Sequence, residues 1–148
     1  MARKKTNKQS FEEAIKATND IASGFRVGLQ ALGANSSVIK TKNNRNINGS
    51  VDIDATTNSL YPRASRWDYT VGYEEYAYFV EVHPANTSNK KEWLENWLNI
   101  HAPKLKKIKA KAPYYWVPSG RVAILKTSPQ FRKIALNHIL IANKVELG

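Results

Sequence analysis

The chain has 148 residues, 42% of them hydrophobic and 24% charged, a balance that suits one domain with a hydrophobic core and argues against global disorder. Twenty-three Lys and Arg against twelve Asp and Glu leave a formal charge of +11, so a polyanionic partner, nucleic acid foremost, is expected to offset the self-repulsion. The absence of cysteine excludes disulfides, thiolate zinc sites and thiol nucleophiles; with no signal-peptide pattern and no apolar run near ~18 residues, a cytoplasmic protein without membrane contact is expected.

Residues 1–9, with Arg3, Lys4, Lys5 and Lys8, read as a flexible basic tail, and residues 10–148 as a single domain. Ser10-Phe11-Glu12-Glu13 matches a capping box, and Phe11, Ala14, Ile15, Ile21, Ala22, Phe25, Leu29 and Leu32 predict one long helix to Gly33, weakened at Gly24 and Gly28. The Asn-, Ser- and Lys-rich stretch 34–50 predicts a loop carrying Lys40, Lys42 and Arg45, and Val51–Ala55 alternates as a short strand does.

The clearest strand signal is the pair Arg66–Tyr73 and Tyr76–His83, dense in aromatic and β-branched residues and separated by Glu74-Glu75. Past the N-cap candidates at 86–89, Trp93, Leu94, Trp97 and Leu98 mark one face of a helix, and the two tryptophans read as core. Pro103 ends that helix. Lys104, Lys106, Lys107, Lys109 and Lys111 follow without an intervening acid. Tyr114–Val117 and Arg121–Lys126 read as a strand pair or one bent strand; Ser128-Pro129 starts a last helix with Phe131, Ile134, Ala135, His138, Ile141 and Ala142 on its apolar stripe. The predicted fold class is α/β, a mixed central sheet flanked by helices.

No phosphate-loop, GxGxxG, GxSxG or HExxH motif is present, which disfavours nucleotide hydrolysis and zinc proteolysis. One constellation can be built by geometry. If Glu74-Glu75 is a two-residue hairpin loop, opposed residue numbers sum to 149, and Asp68 faces Glu81 with Cβ atoms ~5 Å apart. His83 then lies on the same face, opposite Arg66. Trp67, Tyr69, Val71, Tyr73, Tyr76, Tyr78, Val80 and Val82 form the other face, a continuous core wall that fixes the register. Two carboxylates this close repel unless neutralised, and Mg²⁺ or Mn²⁺ is the usual solution; the alternative is a solvated face on which Arg66, nearby lysines or bulk water neutralise the pair.

With that pair placed, the chain resembles the PD-(D/E)XK nuclease superfamily, whose restriction-endonuclease-like fold has the order α-βββ-α-β-α. Trp67-Asp68-Tyr69 stands at the second-strand acidic motif and Glu81-Val82-His83 at the third-strand Glu-x-Lys. The resemblance covers roughly residues 10–143. It implies Asp68 and Glu81 as metal ligands and a first-helix glutamate, Glu12 or Glu13, in support. It departs where His83 replaces the motif lysine. Lys90 or Lys91 can supply that charge, His83 can act as base or third ligand, or the site has lapsed and only binding survives.

The expected activity is metal-dependent hydrolysis of phosphodiester bonds, DNA before RNA. Lys40, Lys42, Arg45, Arg66, Lys90, Lys91 and the 104–111 lysines are expected along the nucleic acid, with Tyr114, Tyr115 and Trp116 available to stack on bases. The alternatives are a non-catalytic nucleic-acid-binding module on the same fold, and an adaptor for an acidic protein. A homodimer is compatible with cutting both strands.

Overall fold

A computed structural model describes residues 10–83, 88–118, 139–142 and 144–147. The basic tail, the stretch Arg121–Lys126, most of the helix expected from Ser128 and the side chain of His83 lie outside the described residues.

A five-stranded mixed sheet holds the order β2-β3-β4-β5-β6, formed by Ile47–Asp52, Tyr69–Tyr73, Tyr76–His83, Lys109–Pro118 and Leu140–Ile141. β3 runs antiparallel to β2 and β4, whereas β5 runs parallel to β4 and to β6. A separate parallel pair joins β1 (Ile39–Thr41) to β7 (Val145–Leu147). Helices α1 (Phe11–Lys16), α3 (Ser88–His101) and α4 (Pro103–Lys107) cover one face, where Phe11, Ile15, Phe79, Leu94, Trp97, Leu98, Leu105 and Trp116 form the larger core. On the other face Val71, Tyr73, Val80 and Val117 pack with Leu32, Val145 and Leu147. The mixed, helix-flanked sheet of the α/β expectation is thus present.

The β3–β4 hairpin has the predicted register, with Tyr69 opposite Val80 and Tyr73 opposite Tyr76. Glu74 and Glu75 adopt positive φ, 52° and 65°, as a two-residue type I′ loop requires. Such a backbone costs roughly 1 kcal/mol or more per side-chain-bearing residue. Local bonds offset it. The Glu74 amide donates to the Asn46 carbonyl at 2.9 Å and the Glu75 amide to Asn48 Oδ1 at 2.7 Å. Glu75 Oε1 also accepts from the Phe11 amide at 2.7 Å, tying the turn to the first turn of α1. Gly72 lets α1 close down on the sheet, since a Cβ there would sit 2.3 Å from Phe11 Cγ.

Several expectations are corrected. The long first helix stops at Lys16, although its capping box forms. Thr18 Oγ1 donates to the Ala14 carbonyl, and Asp20 is drawn away to accept from Tyr61 Oη at 2.6 Å and Trp97 Nε1 at 3.0 Å. Gly28 and Gly33, at φ of 54° and 53°, complete the break. The stretch read as a loop carries 3₁₀ segments (Gln30–Val38 and Asn44–Asn46), β1 and the start of β2. Val51–Ala55 is not one strand: Asp52 caps α2 (Ile53–Thr57) by accepting from the Ala55 amide at 2.8 Å, so β2 ends there.

The two-faced wall is also corrected. β3 begins at Tyr69, and Trp67 crosses to the helix-side core with Phe79 and Tyr114. The alternation fails at Asp68 because its carbonyl turns to the Ile53 amide at 2.8 Å instead of a ladder partner. Both faces of the hairpin are therefore covered. Finally, Leu140 and Ile141 pair with Tyr115 and Trp116, so the last expected helix does not extend through Ile141.

Candidate functional site

Asp68 and Glu81 meet at the open end of the hairpin through a reciprocal pair of backbone bonds. The Asp68 amide donates to Glu81 Oε1 at 2.9 Å, and the Val82 amide donates to Asp68 Oδ2 at 3.0 Å. Each carboxylate thereby has one oxygen fixed by an amide. The other oxygen of each faces the same cation: Lys90 Nζ bonds Glu81 Oε2 and lies 3.8 Å from Asp68 Oδ1. Lys90 sits in the first turn of α3, which lies over this face of β4. Glu81 is fully buried, and the side chains of Lys90 and Asp68 are 18% and 19% exposed.

Burial dominates the electrostatics. It pushes the Glu81 carboxyl up from 4.5 to about 8, reinforced by the Asp68 charge and opposed by Lys90 and the Asp68 amide. Asp68 is raised as well, again by burial first, with Lys90 and the Val82 amide pulling the other way. Asp52 and Asp54 add to the negative field at Asp68. Their nearness follows from the register, in which Asp52 pairs with Tyr69 and the Asp54 amide reaches the Asp68 carbonyl. Sequence reasoning missed these two. The signal was the pair of acids in the Val51-Asp-Ile-Asp-Ala alternation, whose Asp52 pairs with the first residue of β3.

The other expected residues divide clearly. Arg66 serves Asp54, at 2.7 Å, and the Tyr61 carbonyl, not the acid pair. Glu13 is held in the capping box by the Ser10 amide, at the end of α1 that docks on the Glu75 turn. Five residues of β4, Tyr76 to Val80, separate that turn from Glu81, a rise of roughly 20 Å, so Glu12 and Glu13 are not brought to the pair. Lys40, Lys42 and Arg45 are exposed, and Asn43 beside them bonds Tyr73 Oη near the same turn.

The lysine run splits in two. Lys104, Lys106 and Lys107 project from α4 into solvent, Lys106 bonding Asn99 Oδ1, while Lys109 and Lys111 lie on β5. Lys91 is nearly buried, with Nζ 3.3 Å from Glu95 Oε2 and 4.9 Å from the centre of the Tyr114 ring. Tyr114 and Trp116 belong to the core, which corrects their reading as stacking platforms; Tyr115 is half-buried. Trp93 and Trp97 stack on each other at 5.7 Å as part of the helix-side core.

Among the described residues, no three of His, Cys, Asp and Glu converge as a metal-holding group, and no helix is long and apolar enough to cross a membrane. No protein-family model matches the chain, and comparisons with curated proteins and with solved structures return no significant match.

Proposed function

We propose that the chain is a metal-dependent nuclease, acting on DNA in preference to RNA, with its centre at Asp68, Glu81 and Lys90. The observation that carries this reading is the single ammonium of Lys90 set against both carboxylates at the open end of the β3–β4 hairpin. An acid just ahead of one strand, an acid on the next and a lysine beside them approximate the combination that the PD-(D/E)XK resemblance implies. Lys90 supplies from α3 the charge that His83 lacks in the strand. The meander β2-β3-β4, followed by helices and a parallel β5, is compatible with that family's order.

The residues fit a hard divalent cation. Every donor is an oxygen, and the Lys90 ammonium stands as a positive charge where the two free carboxylate oxygens demand one. Asp68 and Glu81 would hold Mg²⁺ or Mn²⁺, a two-carboxylate set that leaves the remaining positions to water and phosphate oxygens. When bound, the ion lowers the pKa of a water ligand and stabilises charge on the phosphate. The backbone amides of Asp68 and Val82 fix the carboxylate planes beforehand. Lys90, released from its present ion pairs, offers its charge to a phosphate oxygen or to the attacking water. The +11 surface draws the polyanion in, and its affinity should fall steeply with salt.

A second reading has its own support. Lys90 already bonds Glu81 and ion-pairs with Asp68, and a triad neutralised in that way needs no metal in a protein that only binds nucleic acid. Labelled single-stranded, duplex and branched DNA, and RNA, incubated with Mg²⁺, Mn²⁺ or chelator, separate the two. The nuclease cuts only with metal, and Glu81→Ala abolishes cutting while binding persists. Salt-sensitive binding without cleavage in either metal would leave the binding module.

A further inference from the structure

β5 does not track β4 evenly. From Ala77 to Phe79 β4 advances two residues, while its partner positions advance from Lys109 to Tyr114. Four residues, Ala110 to Pro113, thus stand against Tyr78 alone and bulge out of the ladder, and Pro113 has no amide to return. The bulge opens a pocket of about 700 Å³. Its wall is apolar along Ala112, Pro113 and Ile139–Ile141, and its polar groups are Lys91, Lys109, Lys111, Glu95 and Tyr114.

Three lysines and one glutamate thus line the pocket, and Lys91 is already paired with Glu95 at 3.3 Å. Lys91 and Lys109 flank the ring of Tyr114, at 4.9 Å and 5.5 Å from its centre, and Lys109 Nζ lies 3.3 Å from the Tyr114 hydroxyl. Burial holds the Lys109 ammonium below its ordinary value; Glu95 opposes this, and Lys106 and Lys91 add repulsion. An anion entering here would relieve an excess of positive charge. A phosphate alone would leave the apolar wall bare, whereas a nucleotide brings both an anion and a flat apolar base.

The position selects which nucleotide. Tyr114 pairs with Phe79, two residues before Glu81, which places its Cα ~8 Å from that of Glu81. Lys90 and Lys91 are adjacent on α3, one reaching the acid pair and the other the pocket. That spacing is about one nucleotide step along an extended strand. We propose that the β5 bulge pocket is a subsite for the nucleotide next to the bond cut at Asp68 and Glu81, its phosphate on Lys109 and Lys111 and its base along Pro113 and Ile139–Ile141. The identity of the occupant rests on the nuclease reading, and the test is built to separate the two.

The 5′-phosphorylated dinucleotide pTpT, inorganic phosphate and unphosphorylated thymidine are titrated in chelator into the full chain, Glu81→Ala, the double variant Lys109→Met with Lys111→Ala, and Ala112→Trp. The subsite predicts that pTpT binds the chain and Glu81→Ala alike, and that affinity falls roughly tenfold in the double variant. Ala112→Trp, an exposed position that fills the pocket without removing charge, should block pTpT equally. Unchanged pTpT affinity in both pocket variants overturns the subsite even if metal-dependent cleavage is found. Inorganic phosphate binding as tightly as pTpT overturns the nucleotide assignment. Pocket-dependent pTpT binding in a chain that cuts nothing upholds a nucleotide pocket but overturns both the nuclease and the pocket's assignment beside a cut bond.

Discussion

The β3–β4 hairpin carries a pair of acids at each end, and the two pairs are used differently. At the turn, Glu74 is exposed and Glu75 half-buried in a strained left-handed backbone, and their partners are amides of Asn46, Asn48 and the first turn of α1. At the open end, Asp68 and Glu81 are drawn under α3, where burial raises both and one lysine answers both. The turn acids organise the fold around themselves. The open-end acids are accommodated by the fold at a cost in stability, the pattern that the proposed nuclease chemistry would require of its acid pair.

That contrast can be broken by substitution. The largest effect expected is on cleavage: Asp68→Ala or Glu81→Ala should lower the rate about a hundredfold or more, measured as single-turnover cutting of labelled DNA in Mg²⁺, with circular dichroism unchanged. Glu75→Ala should do the reverse. Loss of its bond to the α1 terminus and to Asn48 should destabilise the protein by about 1–2 kcal/mol in urea unfolding, with cutting per folded molecule unchanged.

The third effect is in pH. The folded protein keeps the Glu81 proton up to about 8, whereas the unfolded chain releases it near 4.5, so the unfolded state gains as pH rises through that window. The Glu81 contribution is full below 4.5 and lost by 8, and Glu81→Gln should flatten the decline in Tm between those limits. Smallest is Glu74→Asn, which suits the left-handed backbone better and should stabilise by about 0.5 kcal/mol in the same unfolding assay.

Much of the open-end pair was legible beforehand because a two-residue turn leaves one register, and the sum of 149 follows from it. Lys90 was legible only as one of two neighbouring lysines, since sequence spacing does not say which side of a helix faces the sheet. The break of α1 was hidden because its cause is tertiary: Asp20 is held by Tyr61 and Trp97, 41 and 77 residues away. The failure of alternation at Asp68 came from an amide in α2, an element whose own start depends on the Asp52 cap. The β5 bulge left one trace, Pro113 inside an otherwise strand-like run.

The most direct measurement compares Glu75→Ala and Glu81→Ala, side by side with the unaltered chain, for Mg²⁺-dependent cutting of the same labelled DNA under conditions where all three are folded. The account predicts that the unaltered chain and Glu75→Ala cut at matching rates, that chelator stops both, and that Glu81→Ala does not cut. Cutting by Glu81→Ala at the unaltered rate, or no cutting by any of the three on every DNA form offered, would contradict it.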